Sequence, residues 1–89
     1  MTKRDSLEII RDILKVVLEH NNSIKPTPLL RKSNLSSRQF SKYFVMLVKK
    51  GFLQEIDGMN GRVVSLTDKG FRFLERYETI TAFIKEFEL

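Results

Sequence analysis

The chain has 89 residues, of which 42% are hydrophobic and 30% charged, and its formal net charge is +5. These values are typical of one small folded domain and argue against a disordered tail or a membrane protein, since no apolar run approaches the roughly 20 residues of a membrane span. The absence of cysteine and the single histidine, His20, exclude disulfides, cysteine-ligated metal sites and multi-histidine metal sites. We therefore expect no metal, no cofactor and no catalytic residue.

A first helix is predicted over residues 6–20. Apolar residues recur there at three- and four-residue spacing, which is typical of a helix buried on one broad face. Asp5 or Ser6 is the expected N-cap. The side chains of Asn21, Asn22 and Ser23 favour leaving the helix, so a short connector follows.

A short second helix is predicted over residues 28–32. Thr27 followed by Pro28 has the pattern of an N-cap and a proline at the first helical position, where the missing N–H group has no intrahelical partner. Leu29 and Leu30 are its expected core anchors. A turn is expected over residues 33–35.

A third helix is predicted over residues 36–50. Ser36 with Gln39 three residues later matches the spacing of a capping box, and Gly51 provides a left-handed cap at the other end. One face is apolar, and we expect it to be buried. A separate face carries cations and one valine at spacings of three and four, namely Arg38, Lys42, Val45 and Lys49.

A hairpin and a long last helix complete the chain. Two β-prone runs enclose a loop over residues 57–61, with Arg62 beside its tip. Thr67 is the expected N-cap of a helix over residues 67–88, about 33 Å long. Its apolar residues alternate spacings of four and three, which is typical of lengthwise helix packing: Phe73, Tyr77, Ile80, Ile84 and Phe87. We expect the distal half to pack on a second copy.

The positive charge is concentrated in one internal stretch. Residues 25–50 contain seven Lys and Arg and no acidic residue, whereas the remainder holds nine basic and eleven acidic residues. This asymmetry favours a face that binds polyanions, and a merely solvated basic surface is the alternative.

The order of elements resembles a winged helix-turn-helix. The stretch from Lys49 through Gly70 resembles the strand, wing and strand of winged-helix regulators. It starts with the pattern KGhh and ends with the pattern hTxKG, where h is a hydrophobic residue and x is any residue. Residues 27–36 resemble the second-helix segment of small archaeal winged-helix proteins that dimerise through a C-terminal antiparallel coiled coil.

The resemblance implies an α+β, mostly helical protein that forms a homodimer with two DNA-binding heads. Residues 1–66 would form the winged-helix body and residues 67–89 the dimerisation helix, continuous with it in one domain. The implied role is a transcription regulator or a chromatin-associated protein. The lack of a targeting signal and the expected DNA partner predict a cytoplasmic location, at the nucleoid.

The predicted DNA contacts follow from placing the third helix in the major groove. Its first turns would contact base edges through Ser37, Arg38, Gln39, Ser41 and Lys42, although helix capping is an equal alternative for Gln39. Phosphates would be contacted by Lys25, Arg31, Lys32 and Ser36. In the wing, residues 57–62, Arg62 would enter the adjacent minor groove.

Two other function classes are weighed against DNA binding. A winged-helix protein-interaction module without direct DNA binding would use the aromatic last helix to dock on a partner. An enzyme needs a nucleophile, a metal cluster or a phosphate-binding loop, and residues 58–61 lack the pattern of such a loop. Glu75 and Glu78 lie at helical spacing among Arg72 and Arg76, and we interpret them as solvated ion pairs.

Overall fold

The computed structural model describes residues 6–89 and contains four helices and one two-stranded sheet. The elements in chain order are α1 (Ser6–Glu19), α2 (Pro26–Ser33), α3 (Ser37–Lys49), β1 (Leu53–Gly58), β2 (Gly61–Leu66) and α4 (Asp68–Glu86). This mostly helical α+β architecture confirms the predicted fold. Asp5 lies outside the described residues. Ser6 is the first residue of α1, and its hydroxyl lies 3.2 Å from that of Tyr43.

The hydrophobic core lies where α1 meets the other elements. Its fully buried side chains come from all five elements before α4: Ile13, Leu14, Val17, Leu29, Leu47, Leu53 and Val64. The three α1 residues in this set follow the helical spacing of the sequence, so the predicted stripe is the buried one.

The second helix begins earlier than predicted. Pro26 is its first residue and Lys25 its N-cap, with no side-chain capping bond, so the prediction of Thr27 as N-cap is wrong. The physical reason is that Pro26 and Pro28 both lie in the first turn, where backbone N–H groups have no intrahelical acceptor. The first turn closes through the amide of Leu29, which donates to the carbonyl of Lys25 at 3.2 Å.

A tight turn joins α2 to α3. Asn34 has φ 60° and ψ 35°, the left-handed conformation that asparagine tolerates. The buried hydroxyl of Ser33 donates to the carbonyl of Leu30 at 2.7 Å. Ser36 then accepts the amide of Gln39 at 3.2 Å, which confirms it as the N-cap of α3.

The hairpin turn is shorter than predicted. Asp57 pairs with Arg62 and Gly58 with Gly61, so only Met59 and Asn60 remain unpaired, and the five-residue loop is wrong. Gly61 has φ 109°, which suits glycine and allows the strands to pair this far. A residue before α2 also joins the sheet: Ile24 and Val64 exchange backbone hydrogen bonds of 3.2 and 2.7 Å.

The side chain of Thr67 connects the loop at the end of α3 to the start of α4. Gly51 ends α3 with φ 82°, as predicted. The hydroxyl of Thr67 lies within hydrogen-bond distance of the carbonyl oxygens of Gly51 and Phe52, and it accepts the amide of Gly70 at 3.2 Å. Thr67 is therefore the N-cap of α4 and also its attachment to the loop that follows α3.

The two halves of α4 have different surroundings. In the first half, Phe73 meets the ring of Phe52 edge-on at 5.7 Å, and Tyr77 lies 5.2 Å from the guanidinium of Arg11 on α1. After Tyr77 the apolar side chains are exposed. The helix spans 19 residues, about 28 Å, and ends two residues before the predicted limit. None of the helices within residues 6–89 is long and apolar enough to cross a lipid bilayer.

Candidate nucleic-acid interface

The third helix has one buried face and one cationic face. Phe40 and Leu47 are buried in the core, and Phe44 stacks on Phe40 with ring centroids 5.5 Å apart. These contacts fix the rotation of α3 about its axis. At 100° per residue, the opposite face carries Arg38, Lys42, Val45 and Lys49, all of them exposed.

The first turns of α3 present polar side chains to the exterior. Ser37, Arg38, Gln39, Ser41 and Lys42 are all exposed, as a set of base-contacting residues must be. The capping bond at Ser36 uses the backbone amide of Gln39. No bond from the Gln39 side chain back to Ser36 is present in the described chain, so the cap leaves its amide group available to a ligand.

Three further cations lie on either side of α2. Lys25 precedes the helix, while Arg31 and Lys32 are exposed in its last turn, next to the turn that leads into α3. Among residues 6–89, no carboxylate lies within 4.0 Å of these three or of Arg38 and Lys42. The structure therefore leaves these charges without internal compensation.

The hairpin formed by β1 and β2 carries more negative than positive charge. The guanidinium of Arg62 lies 3.8 Å from a carboxylate oxygen of Glu55 and 3.7 Å from one of Asp57. The sequence pattern did not predict these partners of Arg62, although Asp57 stands directly opposite it in the hairpin register. Two nearby carboxylates weaken the attraction of this arginine to a negatively charged groove.

A second group of cations at the start of α4 was not anticipated. The Lys69 ammonium donates to the carbonyl of Lys50 at 2.8 Å and lies 4.6 Å from the centre of the Phe52 ring. Arg72 and Arg76 border the same shallow depression. The predicted ion pairs of these two arginines with Glu75 and Glu78 are wrong for the described residues, where no such pair lies within 4.0 Å.

An apolar groove separates α1 from α4. It encloses about 350 Å³ and is lined by Leu18, Phe71, Leu74 and Tyr77 together with charged residues of both signs. Arg11 lies at one side, with its Nε 2.7 Å from a carboxylate oxygen of Asp12. No group of three His, Cys, Asp or Glu suited to a metal ion occurs between residues 6 and 89.

Comparison with known proteins identifies the fold. A family model described as winged helix-turn-helix matches residues 3–85. No curated protein matches the sequence significantly. One similar solved structure is Sso10a-2, a DNA-binding protein from Sulfolobus solfataricus, with a TM-score of 0.75 and 21% identity over 96% of this chain and 86% of that chain.

Two further structures have the same fold. F93 from STIV, a winged-helix DNA-binding protein, has a TM-score of 0.73 and 20% identity over 89% of this chain and 91% of that one. SSV1 F-93 has a TM-score of 0.69 and 24% identity over 97% of both chains. The family match covers nearly the whole sequence, and the structural likeness extends over the same elements. The chain therefore belongs to the winged helix-turn-helix family.

Proposed function

We propose that this chain is a homodimeric DNA-binding protein that acts as a transcription regulator or a chromatin-associated protein. The observation that carries the proposal is the exposed cationic face of α3, opposite the face that packs on the core. A helix of this kind fits the major groove, whose walls are lined by phosphates. Two of the structures that share the fold are described as DNA-binding proteins.

In this proposal the first turns of α3 contact base edges. The guanidinium of Arg38 has the donor geometry to bind O6 and N7 of guanine together, and the Gln39 amide matches N6 and N7 of adenine. Lys42 lies one turn beyond Arg38 on the same face and would reach a guanine or a phosphate. Ser37 and Ser41 flank this face with hydroxyls that bind either donors or acceptors.

Phosphate contacts would come mainly from α2 and its ends. Lys25, Arg31 and Lys32 are exposed and have no ion pair within residues 6–89, so their charge is available to the DNA backbone. The hydroxyl of Ser36 and the N-terminal amides of α3 add neutral donors. Arg62 would enter the minor groove, but it contributes less than these residues because Glu55 and Asp57 partly neutralise it.

The proposed dimer forms through the distal half of α4. Ile80, Phe83, Ile84 and Phe87 are 41–57% exposed, a large apolar surface for a chain of this size. Antiparallel pairing would bring this surface of one copy, together with Phe73 and Tyr77, against the same surface of the other. Phe73 and Tyr77 contact their own body as well, so they would be shared between the core and the interface.

The second candidate function is a protein-interaction module that binds no DNA directly. The observation in its favour is the same exposed aromatic end of α4, because a heterologous helix would cover it equally well. The two candidates differ at α3, since docking through α4 alone gives no role to the uncompensated cations on that helix.

Salt-dependent DNA binding tests the proposal. Fluorescence anisotropy with a mixed-sequence duplex is measured at several salt concentrations. A dimer that neutralises about eight phosphates gives a slope of log K against log salt near −7. The Arg38→Ala, Lys42→Ala double variant is expected to bind about 100-fold more weakly.

A control variant separates a specific surface from net charge. Lys15→Ala with Lys85→Ala removes the same charge from exposed sites on α1 and α4, and binding close to that of the wild type is expected. Equal losses in both double variants would indicate charge alone. Absence of binding at low salt by the folded protein would contradict the proposal and favour the interaction module.

A further inference from the structure

The cationic face of α3 contains one apolar residue that the fold does not explain. Val45 lies between Lys42 and Lys49 on this face, and 60% of its surface is exposed. A β-branched residue has lower helix propensity than alanine because the helix restricts its side-chain rotamers. An exposed valine at the centre of α3 therefore stabilises neither the helix nor the core.

An apolar recess lies beside Val45, between α3 and β1. It has a volume of about 300 Å³ and is lined by Phe44, Val45, Val48, Lys49 and Glu55. Three of these five side chains are apolar, and two carry opposite charges. The recess thus opens near the surface on which Lys42 and Lys49 stand, within the candidate nucleic-acid interface.

We propose that Val45 and this recess bind the C5-methyl group of thymine in the major groove, and so select A·T pairs at the centre of each half-site. The inference rests on the proposed function, in which α3 lies in that groove. The thymine methyl is the apolar group that base pairs display there, and apolar side chains recognise it. Arg38, Gln39 and Lys42 recognise hydrogen-bonding groups and cannot detect a methyl group.

The charge around the recess favours this occupant over an apolar peptide or a second copy of the chain. Lys42 and Lys49 are cations on the same helix face as Val45, and Arg38 lies one turn before Lys42. An apolar segment docked there would remove three cations from water with Glu55 as the one carboxylate in the lining of the recess. A duplex brings phosphates to the cations and a methyl group to the recess together.

The test removes only the methyl group. The wild-type protein first selects preferred duplexes of about 20 base pairs, two turns of B-DNA, from a random library. The selected duplex is then prepared in two forms, one with thymidine and one with deoxyuridine at every thymidine position. The replacement leaves every Watson–Crick hydrogen bond in place. Anisotropy at one salt concentration compares both duplexes with wild type, Val45→Ala and Arg38→Ala.

We expect wild type to bind the deoxyuridine duplex about fourfold more weakly per contacted methyl group, and about 15-fold more weakly for a dimer with one such contact per head. Val45→Ala is expected to discriminate less between the two duplexes than wild type does, because alanine retains only the Cβ part of the apolar contact. Arg38→Ala is expected to bind both more weakly and to keep the ratio between them. Because Val45 is largely exposed, its replacement by alanine leaves the core intact, and the circular dichroism spectrum checks this.

The outcomes separate this inference from the proposed function. Equal wild-type affinity for both duplexes would overturn the methyl contact while DNA binding stands. Discrimination by Val45→Ala as large as that of wild type, or a selection that yields no preferred sequence, would also overturn it. Failure of the folded wild-type protein to bind either duplex would overturn the proposed function, and the inference with it.

Discussion

The α3 helix and the distal half of α4 have similar apolar spacing and opposite surroundings. In α3, Phe40 and Leu47 are at most 6% exposed because they lie in the hydrophobic core, where α3 contacts β1 and α2. In α4, Ile80 and Ile84 recur at the same three- and four-residue intervals and stay 57% and 41% exposed. Apolar periodicity thus shows which residues share a face, and it does not show what covers that face.

This difference in packing affects the stability of the two helical segments. A short isolated helix is only marginally stable in water, and most helical stability in proteins comes from packing an apolar face. The body supplies that packing to α3 and to α4 as far as Tyr77. The following residues depend on whatever covers them, which in our proposal is a second copy.

The largest expected effect comes from placing charges on the uncovered face. The Ile80→Glu, Ile84→Glu variant should weaken the proposed dimer by more than about 4 kcal/mol, because each copy would bury two unpaired carboxylates in an apolar contact. Sedimentation equilibrium measures the change. The control is Thr79→Glu with Ala82→Glu, on other faces of the same helix. An unchanged mass in the Ile80 and Ile84 variant would exclude this interface.

The next largest effect is expected inside the covered region. Leu47→Ala should lower the free energy of unfolding by about 3 kcal/mol, since it removes a fully buried side chain and leaves a cavity. Urea denaturation followed by circular dichroism measures it. Val45→Ala, two residues earlier and exposed, is the matched control and should change stability little. Similar losses for both would mean that α3 does not have two distinct faces.

A smaller effect is expected in the first turn of α4, where the helix packs on the loop after α3. A Cβ atom at Gly70 would lie well inside van der Waals contact with the carbonyl oxygen of Phe52 and 3.3 Å from Leu66 Cδ2. Gly70→Ala should therefore lower the free energy of unfolding by about 2 kcal/mol, although alanine is the better helix former. Thermal unfolding of this variant is compared with Arg72→Ala, an exposed change on the same helix. A higher melting temperature of Gly70→Ala than of wild type would show that α4 packs less closely on the Phe52 carbonyl.

The smallest effect concerns the cap at the same point. Thr67→Val keeps the shape of the side chain and removes its hydroxyl, so stability should fall by about 1 kcal/mol. Thr67→Ser retains the hydroxyl and should recover most of the loss. Urea titration measures the free energy of unfolding of both variants. Equal values for Thr67→Val and Thr67→Ser would show that the hydroxyl cap contributes nothing to stability.

Local signals in the sequence predicted much of this fold. Ser36, Gly51 and Thr67 mark helix ends through chemistry confined to a few residues, and the structure confirms all three. The start of α2 was misplaced for a local reason too, because two prolines two residues apart both fit the first turn. The rule for proline at a helix start does not choose between them.

Other features depend on residues far apart in the chain. The pairing of Ile24 with Val64 and the bond from the Leu66 amide to the Asn22 side chain at 2.7 Å join the segment after α1 to β2. No short pattern predicts such contacts. The cationic side chains of the candidate interface were identified from the sequence, whereas the recess beside Val45 exists only once α3 and β1 pack together.

The bonds of Thr67 have a mechanical consequence. They join the loop after α3 to the first turn of α4, and Gly70 packs closely against the same loop, so the end of α3 and the start of α4 are held together. In the proposed dimer, the angle at which two α4 helices cross would set both the distance between the two recognition helices and their phase along the double helix. A molecule that altered that crossing angle would change which operator spacings fit, without touching any residue that contacts DNA.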